Sequence, residues 1–307
     1  MLGRFSAIAA GVMLDYGKLK SWKIPDTRQT YSDKDTILYA LGIGCGGLPV
    51  AQGDLRYVYE DGLHAFPSMA LVLGYPGFWL QNAEVGLDSS RLLHGEEAMR
   101  LFAPLPSMGA VTGVTRVAEI YDKGPGKDAV LVIERNVFDD ASGVLLATLT
   151  STLVLRGGGG FGGPPGPPTR PAAAPASPAH YMLDLPTLTQ SALIYRLSGD
   201  LNPLHADPAV AAAAGFPHPI LHGLCTLGMA TRAIVRTCFS ESHGQLHQLG
   251  ARFSAPVFPG ETIRVEIWND DGQGRFRCRS LERDAAVLTN GFFSGQRARP
   301  GIALQQP

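Results

Sequence analysis

The spacing of apolar residues in the second half of the chain predicts one long helix followed by several strands. Apolar residues recur at helical spacing through GLCTLGMATRAIVRTCF, residues 223–239. Apolar and polar residues then alternate over 261–268, 274–282 and 285–293, as they do in half-buried strands. A single apolar helix and long antiparallel strands can both be buried only if the sheet wraps around the helix. We therefore expect an α+β layer with the helix on the concave face of the sheet.

The first half of the chain repeats parts of this pattern. It ends in three strand-like segments, VTGVTRVAEIYD, DAVLVIERNVF and GVLLATLTSTLVLR. Residues 37–44 align without a gap with residues 193–200, and the proline turns closed by Gly109 and Gly260 match in type. An internal duplication explains both patches, and chance similarity is the alternative.

A change in composition separates the two halves. Glycine, proline, alanine and serine fill residues 157–180, where proline prevents regular hydrogen bonding and glycine adds backbone freedom. We interpret this segment as a linker on the surface. The predicted organisation is a first half over 1–156, the linker over 157–180, and a second half over 181–307.

Composition and charge exclude several classes of partner. The chain has 307 residues, of which 45% are hydrophobic and 17% charged, and its formal net charge is −1. A globular protein with no general attraction to nucleic acid or to anionic membranes is expected. The four cysteines are scattered without metal-binding spacing, and no apolar run is long enough to span a bilayer. We expect a soluble, cytoplasmic protein without a bound metal.

The run YRLSGDLNPLH, residues 195–205, holds the first candidate chemistry. Pro203 fixes its own φ and keeps Asn202 out of helical geometry, so that Asp200 and His205 lie on either side of a bend. Asn202 can brace such a bend with its side chain. A carboxylate and an imidazole that share a water molecule supply one proton acceptor and one donor. Addition of water across a double bond requires both.

The leucines in this run change what the pair could do. We expect Leu197, Leu201 and Leu204 to lower the local dielectric and to shift the pKa values of Asp200 and His205 toward neutrality. The alternative is that the aspartate begins a turn and the histidine is an ordinary loop residue.

A second segment favours the catalytic interpretation. In FPHPILHGLCTLGMA, Gly223 begins the predicted long helix, where backbone N–H groups have no partner within the helix and the dipole is positive. Glycine also permits close approach of a ligand oxygen. The position suits the carbonyl oxygen of a thioester that becomes enolate-like during hydration. The alternative is a helix that merely starts at glycine.

These segments together resemble a known family. YRLSGDLNPLHADP followed by GFPHPILHGLCTLG resembles the hydratase 2 motif of MaoC-like (R)-specific 2-enoyl-CoA hydratases, and most of all the hydratase unit of peroxisomal multifunctional enzymes. Stretches elsewhere in the chain are also similar to that family, namely DKDTILYALGIG, LRYVYE, LLHGEEAMRLFAPLP, GGGGFGG and ARFSAPVFPGET.

The resemblance implies a double hot-dog fold and the reversible hydration of trans-2-enoyl-CoA to (3R)-3-hydroxyacyl-CoA, without a metal or redox cofactor. It implies that Asp200 and His205 are the catalytic pair, that Asn202 supports them, and that Gly223 donates to the oxyanion. It implies that further residues contact the substrate or influence activity: His94, Gly95, Lys123, Leu201, Pro203, Leu204, Phe253, Tyr39 and Glu60.

The first half lacks the catalytic pair. Gly44 aligns with Asp200, and no histidine stands where His205 would align. We therefore expect one active site per chain, with the interior of the first half available to an acyl chain. The segment 67–81, PSMALVLGYPGFWLQ, is apolar enough to line that space, and a plain core helix is its alternative interpretation.

Two other functions remain open from the sequence. Acyl-CoA thioesterases also use hot-dog folds, and a catalytically silent acyl-CoA-binding protein would have the same overall pattern. The expected partner in each case is an acyl-CoA thioester. The sequence does not say which member of the pair is the base, which chain length is preferred, or whether the chain forms a homodimer.

Overall fold

A single antiparallel sheet runs through both halves of the chain. The computed structural model describes residues 14–47, 52–167, 173–239 and 245–296. Within these ranges the ten strands follow the order β1-β3-β4-β5-β2-β7-β10-β9-β8-β6. The strands are β1 (Thr27–Tyr31), β2 (Leu92–Leu101), β3 (Gly109–Asp122), β4 (Ala129–Asp139), β5 (Leu145–Leu155), β6 (Tyr181–Pro186), β7 (Gln245–Phe253), β8 (Thr262–Asp270), β9 (Gln273–Ser280) and β10 (Ala285–Gln296).

Six α-helices accompany the sheet in the described ranges. They are α1 (Tyr16–Lys20), α2 (Asp33–Gly42), α3 (Gln52–Val58), α4 (Ser191–Tyr195), α5 (Pro208–Ala213) and α6 (Gly223–Cys238). None of them combines the length and the apolar character that a helix needs to cross a lipid bilayer.

The two halves join where β2 of the first half pairs with β7 of the second. Ala98 lies opposite Gly250 in this antiparallel pair. A Cβ atom at Gly250 would lie 2.9 Å from the Cβ of Ala98 and 2.7 Å from the ring of Phe292, so only glycine fits at the junction. Each half thus contributes five strands to a continuous sheet. The chain has the predicted double hot-dog fold.

The predicted long helix is α6, and it packs inside the second half. Leu227, Ala230, Ala233 and Ile234 are all fully buried. Gly228 gives room for the C-terminal end of α2, because a Cβ atom there would lie 2.5 Å from a methyl carbon of Ile43, the residue that follows this helix. The helix and the strands predicted around it are therefore confirmed, and α6 also holds the two halves together.

In its described residues, the first half has no helix of comparable length. The apolar segment 67–81 forms a short 3₁₀ helix, Pro67–Leu71, and a second one, Trp79–Gln81. Gly74 and Gly77 between them have positive φ angles of 60° and 72°, which interrupt a helix. The alternative of a plain core helix is therefore wrong for this segment, although Pro67–Leu71 itself is buried.

The beginning of the predicted linker is anchored to the first half. The backbone N–H groups of Gly160 and Gly162 each donate to the carboxylate of Asp122 at 2.7 Å. The ring of Phe161 stacks on that of Tyr16, with centroids 5.9 Å apart. Closely spaced glycine N–H groups can surround an anion such as this carboxylate. The composition of the segment did not indicate that its beginning is anchored in this way. The division of the chain at 157–180 stays a prediction.

Candidate active site

Two consecutive turns shape the loop that carries Asp200 and His205. The Asp200 carboxylate accepts the N–H of Asn202 at 3.1 Å, and the Asn202 side-chain oxygen accepts the N–H of Leu204 at 3.0 Å. Pro203 then begins a 3₁₀ helix that ends at His205. Asparagine and aspartate favour such turns because their side chains mimic a backbone acceptor. The structure thus gives Asn202 the bracing contact that the sequence predicted.

A backbone carbonyl fixes the orientation of the His205 ring. Nδ1 of His205 lies 2.8 Å from the carbonyl oxygen of Ile220, which can only accept a hydrogen bond. Nδ1 therefore carries the proton, and in the neutral ring Nε2 is left as an acceptor. His205 is buried, and burial lowers its pKa below the usual histidine value. The ring is therefore neutral at pH 7 and can receive a proton.

His222 completes the site, and the sequence analysis gave it no role. Its ring stacks on that of His205 with centroids 3.6 Å apart, and its Nε2 donates to the backbone carbonyl of Asp200 at 3.1 Å. Burial, together with the neighbouring His205, lowers the pKa of His222 to about 4. Its Nδ1 is buried, with no hydrogen-bond partner in the described ranges. The signal available in the sequence was a histidine at the N-cap of α6, where small polar residues are preferred.

Asp200, His205 and His222 lie close enough to hold one small ligand. One carboxylate oxygen or ring nitrogen from each lies within 4.8 Å of the others. A water molecule fits such a group, and so does a metal ion. The expectation that no metal takes part therefore stays a prediction.

The predicted oxyanion donor lies at the start of α6, with an aromatic ring packed over it. Gly223 is the first residue of the helix, so its N–H lies in the turn that lacks intrahelical partners. A Cβ atom at this position would lie 2.9 Å from the ring of Phe253. That ring in turn contacts the ring of His94 from the first half, with centroids 4.8 Å apart. The structure thus places three of the predicted site residues in contact.

Two leucines of the segment 195–205 do not shield Asp200 and His205 as expected. Leu197 and Leu201 are 61% and 55% exposed, so they contribute little to a low dielectric. The rings of Tyr195 and His222 provide the burial instead, because both are almost fully buried and lie 5.1 Å apart. The pKa of His205 also moves away from neutrality rather than toward it. The expectation was wrong for Leu197, Leu201 and the pKa of His205, since loop hydrophobicity does not determine which side chains turn inward.

Three other predicted residues lie outside the segment 195–205, and one of them packs against it. Tyr39 is a core residue whose hydroxyl donates to the carbonyl oxygen of Ser68 at 2.8 Å, and its ring centroid lies 5.9 Å from that of Tyr195. Lys123 is exposed, and its Nζ donates to the carbonyl oxygen of Pro165 in the linker at 2.7 Å. Glu60 is exposed after α3 and makes no hydrogen bond or ion pair within the described part of the chain. For these three residues, substrate contact stays a prediction.

The remaining residues predicted to contact the substrate are Pro203, Leu204 and Gly95. Pro203 is exposed and Leu204 is half-buried in the catalytic loop. Gly95 lies at a register shift in β2, where a Cβ atom would come within 3.3 Å of the carbonyl oxygen of Thr152. Glycine at this point lets the strand bulge beside His94.

In the first half, a side chain from the second half occupies the space beside Gly44. Gly44, which aligns with Asp200, has a φ of 87°, and a Cβ atom there would lie 2.8 Å from the guanidinium of Arg232. Arg232 comes from α6 of the second half and pairs with the buried Asp54 at 3.6 Å. At this position the first half therefore has a buried ion pair rather than open space.

Comparison with known proteins places the chain in a family. Residues 29–157 match the family described as MFE-2 hydratase 2 N-terminal domain, and residues 171–290 match the MaoC like domain. The chain is 45% identical over 263 residues to 3-hydroxyacyl-thioester dehydratase Y of Mycobacterium tuberculosis, covering 83% of this chain and 88% of that protein. The chain belongs to the MaoC-like hydratase 2 family.

Two further members of the family match over most of their length. Enoyl-CoA hydratase 2, peroxisomal, of Arabidopsis thaliana is 37% identical over 293 residues, covering 88% of this chain and 92% of that protein. The crystal structure of the MaoC-like dehydratase from Phytophthora capsici superposes with a TM-score of 0.79 at 31% identity, covering 92% of this chain and 99% of that one. The predicted family is thus confirmed.

Proposed function

We propose that this MaoC-like hydratase adds water reversibly to trans-2-enoyl-CoA and forms (3R)-3-hydroxyacyl-CoA. The observation that carries the proposal is the neutral His205, whose Nε2 is left as an acceptor and whose ring has a nitrogen within 4.8 Å of an Asp200 carboxylate oxygen. Similar proteins described as an enoyl-CoA hydratase 2 and a 3-hydroxyacyl-thioester dehydratase support the same reaction in its two directions.

The geometry gives each residue a step in the reaction. A water molecule held between Asp200 and His205 donates one proton to Nε2 of His205 while its oxygen attacks C3 of the enoyl group. Electrons move from the C2–C3 double bond toward the thioester carbonyl, and the N–H of Gly223 stabilises the resulting enolate oxygen. The proton then returns from the pair to C2, which restores the carbonyl and completes the addition.

The neighbouring groups make His205 the proton acceptor in the hydration direction. Its Nδ1–H is held by the carbonyl oxygen of Ile220, so the proton that arrives at Nε2 creates an imidazolium beside the Asp200 carboxylate. The negative charge of Asp200 stabilises that imidazolium. His222 holds the backbone of Asp200 in place through its Nε2.

Thioester hydrolysis through a cysteine nucleophile does not fit the site. Cys225 lies in the first turns of α6, yet it is fully buried and its thiol points to the carbonyl oxygen of Gly42 at 3.4 Å. Burial raises its pKa well above the usual value, which keeps it a thiol rather than a thiolate. Water activated by the pair is therefore the only chemistry that we assign to this site.

The proposal also includes the partner of the protein, its cofactors, its location in the cell and its oligomeric state. An acyl-CoA thioester is the expected partner, with no redox cofactor and no metal. The cytoplasmic location predicted from the sequence stays a prediction, because the Arabidopsis relative is described as peroxisomal. A homodimer likewise stays a prediction.

One assay tests the reaction. The purified protein is mixed with trans-2-enoyl-CoA, and both the absorbance of the conjugated enoyl group and the release of free thiol are followed. Loss of absorbance without thiol supports hydration, and chiral analysis of the product should give the 3R alcohol. Release of thiol would identify a thioesterase, and binding without either change would identify a silent acyl-CoA-binding protein.

A further inference from the structure

A band of polar side chains crosses the inner face of the first-half sheet. Thr115 on β3 lies directly opposite Arg135 on β4, and Ser151 on β5 lies directly opposite Glu97 on β2. We call these four residues the polar belt. Thr115, Arg135 and Glu97 are 7%, 9% and 3% exposed, so charges and a hydroxyl are buried where a hot-dog half normally packs apolar residues.

The polar belt lies between two separate apolar clusters. Val117 and Ile133, on one side of it along β3 and β4, belong to a cluster that also contains Leu19 and Leu131. Val137, on the other side, belongs to the larger cluster around α6. The two apolar clusters of the first half therefore meet at the polar belt, and an acyl chain that reached the belt would lie between apolar residues.

Two atoms of the polar belt have no hydrogen-bond partner in the described part of the chain. They are Nε of Arg135 and the hydroxyl oxygen of Thr115. Residues directly opposite each other on neighbouring strands have Cβ atoms about 5 Å apart, so the two side chains start from the same part of the inner face. Buried polar atoms are nearly always hydrogen-bonded in native proteins, and two adjacent exceptions indicate a binding site for an oxygen atom.

The remaining contacts of the polar belt define the charge of that ligand. The Glu97 carboxylate accepts from Ser151 Oγ at 2.6 Å and contacts Nε2 of His94 at 2.9 Å. Its negative charge counters the effect of burial on the pKa of Arg135, although no direct ion pair joins them. The positive and negative charges of the belt therefore balance, and a further carboxylate would leave a net buried charge. A neutral hydroxyl or keto oxygen fits this balance.

Tyr75 places the polar belt next to the catalytic loop. The guanidinium carbon of Arg135 lies 5.4 Å from the centre of the Tyr75 ring. Burial, followed by the charge of Asp200, raises the pKa of Tyr75 to about 12. Arg135 also donates from Nη2 to the carbonyl oxygen of Leu71 at 2.7 Å. Gly199, the residue before Asp200, lies close to the next residue of the same segment, since a Cβ atom at Gly199 would be 3.9 Å from the carbonyl oxygen of Val72. Residues 71–75 thus separate the belt from the site by one layer of chain.

We propose that the polar belt binds a hydroxyl or keto group on the acyl chain of the substrate, through the Thr115 hydroxyl and the Nε–H of Arg135. The preferred substrates are then 2-enoyl-CoA thioesters whose acyl chain carries one neutral oxygen beyond the reacting double bond. This inference rests on the proposed hydratase function. It explains why a half without a catalytic pair keeps a buried arginine.

The test compares substrates that differ only in that oxygen. A series of trans-2-enoyl-CoAs of equal chain length is prepared, one plain and the others with a single hydroxyl or keto group moved along the chain. We expect kcat/KM of the wild-type protein to be highest for one oxygenated member. Thr115→Val, which keeps the side-chain shape, should lower kcat/KM for that member about fivefold, the effect of one hydrogen bond, and leave the plain chain unchanged.

Two further variants separate binding from folding. Thr148→Val removes a hydroxyl that bonds to Asn136 on the same sheet, and it should change neither substrate's kcat/KM. Arg135→Lys retains the charge but not the Nε–H, and it should reproduce the selective loss of Thr115→Val. Equal loss for plain and oxygenated chains in the Thr115 variant, or no wild-type preference, would overturn the proposal. Failure of the wild type to hydrate even the plain chain would instead overturn the proposed function.

Discussion

The ring of His222 lies on the ring of His205 with centroids 3.6 Å and planes 27° apart. Nε2 of His222 also donates to the backbone carbonyl of Asp200, so one side chain touches both members of the proposed catalytic pair. The stacking keeps both imidazoles out of water and therefore neutral at pH 7. A neutral base is what the hydration step requires.

Replacement of either catalytic residue should abolish turnover. In Asp200→Asn the water loses its carboxylate partner, and in His205→Gln it loses its proton acceptor, so kcat should fall by about a hundredfold or more. The measurement is the rate of loss of enoyl absorbance at saturating substrate. Matched control variants are Asp207→Asn and His180→Gln, whose side chains are exposed or lie away from the loop and should leave kcat unchanged. Near-wild-type turnover in either catalytic variant would refute the assignment.

Truncation of Asn202 should reduce activity less severely. Asn202→Ala removes the acceptor for the N–H of Leu204 and thus the cap of the short helix that carries His205. A lost cap of this kind costs about 1 kcal/mol of helix stability, and we expect kcat to fall about fivefold because His205 is then held less firmly. Asn202→Asp keeps an acceptor at the same place and should recover the rate. A loss as large as that of His205→Gln would give Asn202 a direct role in the chemistry.

Protonation of His205 should set the acid limb of the pH–rate profile. The pKa of His205 is lowered by burial, and the pKa of His222 is lowered to about 4 by burial and by the charge that His205 gains first. Because His205 must be neutral, kcat/KM should fall as pH drops through its lowered pKa. His222 is still neutral when His205 takes its proton, so His222→Phe should leave the acid limb in place. An acid limb that moves to higher pH in this variant would show that His222 carries a charge beside His205.

The same shifts predict how stability varies with pH. An unfolded histidine has a pKa of about 6.5, so between about pH 4 and that value the unfolded chain binds more protons than the folded one. The free energy of unfolding should therefore rise with pH across this window and stop rising above it. Urea denaturation at several pH values measures the slope, and His222→Phe should make it shallower. A slope that is equal in the two proteins would show that His222 is not the group responsible.

Gly223 should tolerate no side chain while Phe253 covers it. In Gly223→Ala the new methyl group would meet the Phe253 ring, which must move to admit it. We expect kcat to fall about tenfold or more, because displacement of the start of α6 disturbs the N–H aimed at the oxyanion. The double variant Gly223→Ala with Phe253→Leu removes the clash and should recover part of the loss. If the double variant is no better than the single one, the methyl group acts by blocking the substrate itself.

Removal of metal ions should leave the activity intact. Asp200, His205 and His222 could together bind a divalent cation, yet the proposed step needs both the carboxylate and Nε2 free for water. Dialysis against a chelator should therefore not change kcat, and added Zn²⁺ should inhibit by occupying the cluster. Loss of activity on chelation, restored by one metal, would show that the reaction is metal-dependent.

Several features of the site were accessible from the sequence because they depend on neighbours along the chain. The turns at Asp200 and Asn202 are formed within three residues, and the start of α6 at Gly223 follows from local periodicity. Family resemblance added Phe253 and His94, which the structure brings into contact. The burial of the site was not accessible, because Leu201 turns outward and the histidine rings do the shielding.

The sequence by itself determined the family, the strands, the long helix and the Asp200/His205 pair, since each rests on short-range pattern or motif. Only the tertiary structure placed His222 on His205, filled the first-half counterpart at Gly44 with Arg232, and gathered the polar belt around Arg135. These contacts join residues far apart in the chain, and strand order and packing decide them. Alternation along β3 or β4 shows which residues face inward, but not which inward residues lack a partner.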